Sequence, residues 1–518
     1  MIGAMQSDHV IVVGAGAGGL AAAADLARLG ARVTVLERAS APGGKMRRVI
    51  ADGAAIDAGP TVFTMRWIFE RLFRDCGARL EDHLELTPAD ILARHAWRSG
   101  ARLDLFADID KSAAAIAEFA GEKDAAGYRA FCARSADIYK TLSQTFIASE
   151  KPSSPIDLAW RVGFSRLDAL LRTAPLKSMS AAIGDYFEDP RLRQLFGRYA
   201  TYVGSSPFLA PATLMLVAHV EQEGVWRVNG GMHAVARALQ HLGEAHGAVY
   251  RFDSHVAGIV VENGRARGVV LSNGERLDAD AVVFNGDANA VASRILGQQA
   301  EGAVAPTPRE ARSLSAITWC ARAATRGFPL VHHNVFFAED YAAEFDAIFR
   351  RRTLPETPTV YVCAQDRGDN GLADNGASER LLILINAPPD GDFRAFSEAE
   401  LCRFADRAFD LLSASGLEID RESATHVRTA PHDFEKLFPA TGGALYGLAS
   451  HGANATFQRP ASATKLPGLY LAGGSVHPGA GVPMAAMSGR LAAARVIEDL
   501  AAAHSGRRPR SQLSVPIS

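Results

Sequence analysis

A glycine-rich segment near the N-terminus constrains the fold of this chain more than any other feature. Residues 14–19 read GAGAGG, directly after the strand-like run HVIVV at 9–13 and before a helical pattern over 20–29. Gly14, Gly16 and Gly19 satisfy G-x-G-x-x-G, in which the glycines permit a tight turn, close approach of a pyrophosphate and close helix packing. Free N–H groups at the helix start would bind the phosphates. The order strand, turn and helix therefore predicts a dinucleotide-binding α/β domain.

An acidic residue at the end of the next strand supports this prediction. The run RVTVL at 32–36 is followed by Glu37, 18 residues after Gly19. A carboxylate at that place accepts hydrogen bonds from the ribose hydroxyls of adenosine and repels a 2′-phosphate. The alternative is a glycine-rich turn in another α/β fold, but the complete set of flanking elements favours the dinucleotide site.

A second diglycine distinguishes FAD from NAD as the expected dinucleotide. The run GGKM at 43–46 begins six residues after Glu37, where NAD-binding domains do not normally carry such a pair. Glycine lets the backbone pass close to a bound nucleotide. Pro42-Gly43 is also turn chemistry by itself, so a surface turn is the alternative. Together with the C-terminal motif described next, the segment predicts FAD.

Further motifs extend along almost the whole chain. They are DAGPT at 57–61, VGSSPF at 203–208, GVW at 224–226, the pair GG at 230–231, and GLYLAGGSVHPGAGVP at 468–483. In these motifs, residues 9–498 resemble the bacterial carotenoid desaturases, the phytoene desaturase-like FAD enzymes. GPTVFTMR at 59–66, FRDCGARLEDHL at 73–84 and LARHAW at 92–97 are more similar to the hydroxyneurosporene (methoxyneurosporene) desaturase branch than to phytoene desaturase.

The resemblance implies both a fold and an activity. The expected fold is α/β: a Rossmann-like FAD-binding domain of the glutathione-reductase or amine-oxidase type, with an inserted α+β substrate domain. The expected activity is hydride transfer from a lipid-soluble acyclic carotenoid to FAD, most specifically C-3,4 desaturation of 1-hydroxycarotenoids. Phytoene desaturase is the close alternative, and a carotenoid isomerase or a flavin amine oxidase is more distant. Oxygen and a quinone both remain open as the electron acceptor.

The cofactor domain is expected to be assembled from separated segments. The first and last motifs must meet in space if both bind one cofactor. The predicted division is 8–90, 246–300 and 441–503 for the FAD-binding domain, 91–245 for a helical, substrate-binding and membrane-facing segment, 301–440 for the substrate-domain sheet, and 504–518 for a disordered tail.

The motifs name a set of candidate cofactor-binding residues. These are Gly14, Ala15, Gly16, Gly18, Gly19, Glu37, Arg38, Gly43, Gly44, Lys45, Met46, Gly59, Pro60, Thr61, Val256, Gly473, Gly474, Val482, Pro483 and Met484.

Few residues are expected to take part directly in the chemistry, because the flavin carries out the hydride transfer. His477 is the candidate catalytic residue, since an ordinary histidine can accept a proton near pH 7; the alternative is that it fixes its loop by hydrogen bonding. Asp57 is expected beside the flavin or as a turn cap. Arg66 could recognise a substrate hydroxyl or lie on a helix surface. His95, His332 and His333 have no partners at metal-ligand spacing, so no metal is predicted.

Composition excludes several classes of function. The formal net charge of −2 offers no overall field for nucleic acid, so no such partner is expected. Five scattered cysteines without a C-x-x-C pair indicate reduced cytosolic thiols. Apart from the glycine-broken run 10–24, no long uncharged apolar run occurs, so no membrane-spanning helix is predicted.

The segment 151–177 suggests peripheral contact with a membrane. Trp160, Phe164, Leu167 and Leu171 follow helical spacing, and the basic residues around them exceed the acidic ones by three. An apolar stripe with basic flanks suits an anionic bilayer surface, although a helix packed on its own core gives the same pattern. A cytoplasmic protein on the inner face of the membrane is therefore expected, with 208–217 at the mouth of a substrate tunnel.

Overall fold

The computed structural model describes residues 8–163, 167–369, 378–421 and 424–505. Residues 1–7 and 506–518, which belong to the predicted disordered ends, lie outside this part. So do Phe164 and Arg166 of the predicted membrane segment.

The strands fall into two larger sheets and several small ones within the described residues. In chain order they are β1 His9–Val13, β2 Arg32–Leu36, β3 Arg48–Ala51, β4 Ala54–Asp57, β5 Leu86–Pro88, β6 Ile91–Trp97, β7 Arg102–Phe106, β8 Trp226–Val228, β9 Val249–Arg251, β10 Val256–Glu262, β11 Arg265–Leu271, β12 Arg276–Asp278, β13 Ala281–Phe284, β14 Ser315–Ala323, β15 Thr325–Arg326, β16 His333–Phe337, β17 Val360–Ala364, β18 Glu379–Ala387, β19 Glu418–Ile419, β20 Thr425–Thr429 and β21 Leu469–Leu471.

The helices cover the sheets and connect them. They are α1 Ala17–Arg28, α2 Arg66–Asp75, α3 Ile109–Ala120, α4 Glu122–Leu142, α5 Pro155–Val162, α6 Leu167–Arg172, α7 Met179–Ile183, α8 Pro190–Gly197, α9 Leu216–Gln222, α10 Met232–Glu244, α11 Ala288–Ala292, α12 Tyr341–Phe345, α13 Glu398–Ala414, α14 Pro431–Leu437, α15 Ala455–Gln458 and α16 Val482–His504, with a π-helical continuation of α4 at Ser143–Ile147 and a 3-10 segment at Arg198–Val203.

A parallel sheet in the order β21-β13-β1-β2-β9 carries the glycine-rich turn. Val10 and Val12 of β1 pack with α1 in one core cluster, whereas Ile11 and Val13 pack with the small β10-β11-β12 sheet in another. Both faces of β1 are therefore buried, which explains its unbroken apolar sequence. The expected α/β fold class is confirmed.

A mixed sheet in the order β20-β14-β18-β17-β16-β6-β7 forms the second layer. Neighbouring strands are antiparallel except β16 and β6, which run parallel. The helix α13 packs on one face through Phe404 and Leu412. Residues 91–245, expected to form a helical, substrate-binding and membrane-facing segment, begin with β6 and β7 at the edge of this sheet, where β6 pairs with both β16 and β7.

Candidate cofactor site and adjoining cavity

A cavity of about 530 Å³ lies between the two larger sheets. Many of the candidate cofactor-binding residues line it: Gly14, Gly16, Gly18, Gly43, Gly44, Lys45, Met46, Gly59, Pro60, Thr61, Gly473, Gly474, Val482, Pro483 and Met484. The remaining candidates, Ala15, Gly19, Glu37, Arg38 and Val256, are not among the lining residues.

The glycine-rich turn is held in place by Glu37 and by close contacts within the turn at Ala15 and Gly19. The Ala15 N–H donates to Glu37 Oε2 at 2.7 Å and the Ala39 N–H donates to Oε1 at 2.9 Å, so the buried carboxylate ties β2 to the turn. A Cβ on Gly19 would lie 2.0 Å from the Gly14 carbonyl oxygen. Gly19 therefore allows the close helix packing that the motif requires.

Arg38 and Val256 lie next to Glu37. Arg38 Nη2 donates to the Lys436 carbonyl oxygen at 3.3 Å on the protein surface. Val256 opens β10 two residues after Ser254, whose N–H donates to the Glu37 carbonyl oxygen at 2.8 Å. Both positions belong to the neighbourhood of the predicted ribose site rather than to the cavity wall.

The start of α1 suits a phosphate-bearing group. No side chain caps the helix at Gly16, and its first turn holds no acidic residue. Its first N–H groups therefore remain available to an anion, with the positive end of the helix dipole behind them. A Cβ on Gly44 would lie 3.2 Å from Gly16 Cα, so the second diglycine passes directly over this turn.

Three charged side chains, Lys45, Arg459 and Asp287, line the cavity between the turn and the C-terminal motif. Lys45 Nζ donates to the Leu445 carbonyl oxygen at 2.6 Å, and Arg459 Nη1 donates to the Gly474 carbonyl oxygen at 2.9 Å. Burial lowers the pKa of Lys45 and lowers the pKa of Arg459 to about 10, and it raises the pKa of Asp287. The two basic groups beside one carboxylate fit a cofactor that carries negative charge.

The first and last segments of the chain meet at this site. A Cβ on Gly18 would lie 2.8 Å from the Gly473 nitrogen and 2.9 Å from the Ala485 carbonyl oxygen. The helix α16 starts at the cavity without a side-chain cap at Gly481. A dinucleotide on the glycine-rich turn would therefore also be in contact with the C-terminal motif.

The candidate catalytic residue His477 is not among the residues lining the cavity. Its Nε2–H donates to the Ser149 carbonyl oxygen at 2.9 Å, and the ring packs edge-on against Phe146. Burial lowers the pKa of His477 to about 4, so the ring is neutral near pH 7. This geometry argues against a catalytic base and favours the alternative weighed from the sequence, in which His477 fixes its loop.

Asp57 and Arg66 also act in local structure. Asp57 Oδ2 accepts the Met232 N–H at 2.5 Å at the start of α10 and is thus a helix cap rather than a cavity group. Arg66 Nε donates to Glu70 at 2.6 Å, and its guanidinium also contacts Glu81. These contacts give Arg66 the surface role that was the alternative to hydroxyl recognition.

His332 and His333 have a partner that the sequence analysis missed. Cys363, opposite His333 on β17, brings its Sγ to 3.6 Å from His332 Nε2, and the ligand atoms of all three side chains lie within 4.8 Å of one another. The histidines and Cys363 are far apart in the sequence, and only the pairing of neighbouring strands brings them together. Motif spacing therefore could not reveal this contact. The prediction of no metal stays a prediction. His95 Nδ1–H donates to the Leu103 carbonyl oxygen at 3.2 Å.

Beyond the cofactor residues the cavity wall is mainly apolar. Its apolar lining comprises Val62, Met65, Leu142, Phe146, Ile147, Val203, Leu214, Leu216, Val217, Val220, Val335 and Leu384. Thr213, Leu214, Leu216 and Val217 thus line the cavity, in the stretch expected at the tunnel mouth. Polar side chains also line this wall, and those that sequence analysis did not single out include Arg198, Tyr202, Tyr341, Tyr361 and Asn386.

Comparison with known proteins defines the class. The family profile described as flavin containing amine oxidoreductase matches residues 17–497. A putrescine oxidase bound to putrescine has the same fold, with a TM-score of 0.58 at 16% identity over 95% of this chain and 99% of that chain. The molecule is therefore a flavin-dependent oxidoreductase, as expected from the motifs.

Similar proteins show to which group of flavin-dependent oxidoreductases the chain belongs. The chain is 52% identical to a hydroxyneurosporene desaturase of Rubrivivax gelatinosus, over 97% of this chain and 96% of the relative. It is 31% identical to a zeta-carotene-forming phytoene desaturase of Myxococcus xanthus, over 100% and 99% of the two chains. The chain belongs to the carotenoid desaturases of the flavin-containing amine oxidoreductase family, which confirms the resemblance seen in the motifs.

Proposed function

We propose that this enzyme uses FAD to desaturate the C-3,4 bond of an acyclic 1-hydroxycarotenoid. The observation that carries the proposal is the 52% identity over nearly the whole chain to a hydroxyneurosporene desaturase. The mainly apolar cavity beside the dinucleotide turn supports it, because a long hydrocarbon requires such a wall. Phytoene as the substrate is the second candidate, favoured by the match to a phytoene desaturase, although the identity there is lower.

The reaction removes two hydrogens from neighbouring carbons. A bound FAD supplies the hydride acceptor, and the second hydrogen leaves the adjacent carbon as a proton. Developing positive charge on a carbon next to a polyene is delocalised, so a strong base is not required. The apolar wall aligns the chain and excludes water, while Lys45 and Arg459 offset negative charge on the cofactor.

The enzyme is further proposed to collect its substrate as a peripheral protein on the inner face of the membrane. Within the described residues, no helix combines the length and apolarity needed to cross a bilayer. An apolar surface patch supports membrane contact, since its side chains are exposed on adjacent segments: Ile156, Trp160, Leu171, Leu176, Phe208 and Leu209. The Ala212 N–H donates to the Lys177 carbonyl oxygen at 2.8 Å, which joins two of these segments.

The patch differs from the sequence prediction in two respects. The expected single helix is divided into α5 and α6, with Gly163 after the first of them. The basic flanks are largely neutralised, because Arg161 pairs with Asp157, and Arg172 pairs with Asp137. The proposed membrane contact therefore depends on apolar burial more than on charge.

The deciding experiment offers FAD-loaded enzyme two carotenoids in liposomes without oxygen. Chromatography of the pigments would show one added double bond in 1-hydroxyneurosporene and no product from phytoene. Conversion of phytoene alone would move the enzyme to the second candidate. Adding oxygen or a quinone in separate reactions then identifies the acceptor that restores multiple turnovers.

A further inference from the structure

Arg198 is one of three arginines among the described residues that line the cavity, and it lies among the apolar and tyrosine side chains of the wall rather than in the cofactor motifs. It begins the 3-10 segment after α8, and its described hydrogen bond is a long one of 3.5 Å from Nη2 to Tyr202 Oη. A guanidinium carries five N–H donors. Within the described part of the chain, no carboxylate lies within 4 Å of it. Most of its donors thus remain available in the interior of the protein.

Glu221, the carboxylate that interacts electrostatically with Arg198, already accepts hydrogen bonds from two other side chains. Tyr199 and Tyr202 both donate their hydroxyls to Glu221, the second at 2.6 Å. Tyr202 lies between the two charged groups, since it contacts Arg198 and donates to Glu221. Glu221 therefore offsets the charge of Arg198 without a direct hydrogen bond to it. An anionic ligand would leave an excess negative charge in the interior, whereas a neutral oxygen acceptor would satisfy the donors at no such cost.

A second polar group near Arg198 is also without a partner. Tyr341 lines the same cavity, and its buried Oη has no hydrogen-bond partner among the described residues. Its ring packs edge-on against Phe337 and Phe345, which fixes its orientation. A buried hydroxyl without a partner costs about 1–3 kcal/mol, so a ligand oxygen at this place would be stabilising.

Arg198 is also close to the cofactor segment. Its guanidinium carbon lies 5.9 Å from the centre of the Tyr361 ring, and Tyr361 Oη is 2.7 Å from Thr61 Oγ1. In a 1-hydroxycarotenoid, three single bonds of about 1.5 Å separate the oxygen from C3, so the two atoms lie within about 4 Å. A group that binds this hydroxyl must therefore lie near the cofactor, as Arg198 does.

We propose that Arg198 and Tyr341 form a polar subsite that binds the tertiary hydroxyl of the substrate and aligns its C3–C4 bond. The inference rests on the proposed function, which supplies a hydrocarbon with an oxygen at one end. Arg198 donates to the hydroxyl oxygen, and the hydroxyl can donate to Tyr341 Oη. Carotenoids without the hydroxyl leave both groups unsatisfied in an apolar wall, so the subsite discriminates against them.

The test compares 1-hydroxyneurosporene with neurosporene, which lacks the oxygen. Dithionite-reduced holoenzyme in liposomes cannot accept hydride, so dissociation constants are measured by quenching of tryptophan fluorescence without turnover. Wild type should bind the hydroxylated carotenoid about 10- to 100-fold more tightly. Arg198→Met and Tyr341→Phe should each bring this ratio towards one. Arg66→Met, which changes the surface arginine, should keep it.

The outcomes separate this inference from the function on which it rests. A wild-type ratio near one, or variants that keep the wild-type ratio, would overturn the subsite. If Arg198→Met lost its flavin or failed to fold, Tyr341→Phe would still test the subsite. The Tyr341 hydroxyl has no hydrogen-bond partner in the described structure, so its removal should not disturb the fold. Failure of wild type to bind or convert either carotenoid would instead overturn the proposed function.

Discussion

At the scale of single residues, burial decides which side chains can take part in chemistry. His477 and Glu344 are both buried, and burial shifts the pKa of each towards the neutral form. Arg198 lies as deep but carries donors that face a cavity. His477 contacts Ser149 and Phe146 and is not among the lining residues, whereas Arg198 lines the cavity and is the proposed ligand-binding group.

Replacing His477 tests its structural role. In His477→Phe the Ser149 carbonyl oxygen loses its donor, which should lower the free energy of unfolding by about 1–3 kcal/mol. The turnover number of flavin-loaded variant should stay within about threefold of wild type, because the ring is not a base. Thermal unfolding and steady-state rates measure the two effects. A fall of about 100-fold or more with the flavin retained would restore His477 as the catalytic base.

The carboxyl group of Glu344 should make stability depend on pH. Burial raises the pKa of Glu344 to about 7, while its oxygens accept the Thr359 N–H at 3.1 Å and Asn386 Nδ2 at 3.3 Å. The folded state therefore holds a proton that the unfolded state releases above its ordinary pKa of 4.5. The stabilisation is complete below pH 4.5 and is lost as the pH rises towards 7.

A neutral isostere should remove this dependence. Glu344→Gln is expected to melt at a higher temperature than wild type at pH 8 and at a similar temperature at pH 5, as measured by calorimetry. Glu339→Gln, at an exposed side chain, is the control and should leave both values unchanged. A lower melting temperature for Glu344→Gln at pH 8 would show that the ionised carboxylate is the stable form.

At the scale of elements, the packing of α1 against α16 makes the cofactor site. Arg490 on α16 is buried and pairs with Asp25 of α1 at 2.8 Å and also with Asp75 of α2. Gly489 lies beside it, where a Cβ would be 2.0 Å from the Gly18 carbonyl oxygen. The two helices can approach this closely because both contact positions are glycine.

Adding one methyl group at this contact should separate the helices. Gly489→Ala is expected to lower the free energy of unfolding by about 1–3 kcal/mol and to reduce the flavin retained after gel filtration. Gly302→Ala is the matched control, because no atom lies within 4 Å of its added Cβ. If Gly489→Ala keeps both its melting temperature and its flavin, the contact does not shape the site.

The apolar patch should bind membranes with little dependence on charge. Leu176 is 90% exposed and Trp160 is 65% exposed, whereas nearby Arg161 and Lys177 are in ion pairs. Replacing Trp160, Leu171 and Leu176 together by Gln should weaken liposome binding by at least about tenfold. Ile50→Gln, at an exposed side chain on β3, is the control.

Flotation of liposomes with and without anionic lipid, at low and high salt, measures this binding. The expected result is a similar bound fraction in all four conditions for wild type. Binding that requires anionic lipid and disappears in salt would show that unpaired basic groups control it instead.

At the scale of the whole molecule, sequence patterns predicted those features that are formed by residues close together in the sequence. The glycines at 14–19, Glu37 and the motif at 468–483 implied the cofactor domain, because each has a local conformational signature. Contacts across the chain could not be predicted in this way. Arg198 follows an amphipathic helix and resembles a surface residue, while Cys363 meets His333 through strand pairing. Residues 91–106 similarly join the substrate sheet through β16.

An anaerobic titration tests whether this enzyme desaturates its substrate by hydride transfer to bound flavin. Flavin-loaded enzyme is mixed with 1-hydroxyneurosporene in liposomes, while the oxidised-flavin absorbance and the number of new double bonds are both followed. One flavin should be reduced for each double bond formed, and the reaction should halt once the flavin is reduced. Product with no change in flavin absorbance, or a pigment that is isomerised without a new double bond, would contradict this mechanism.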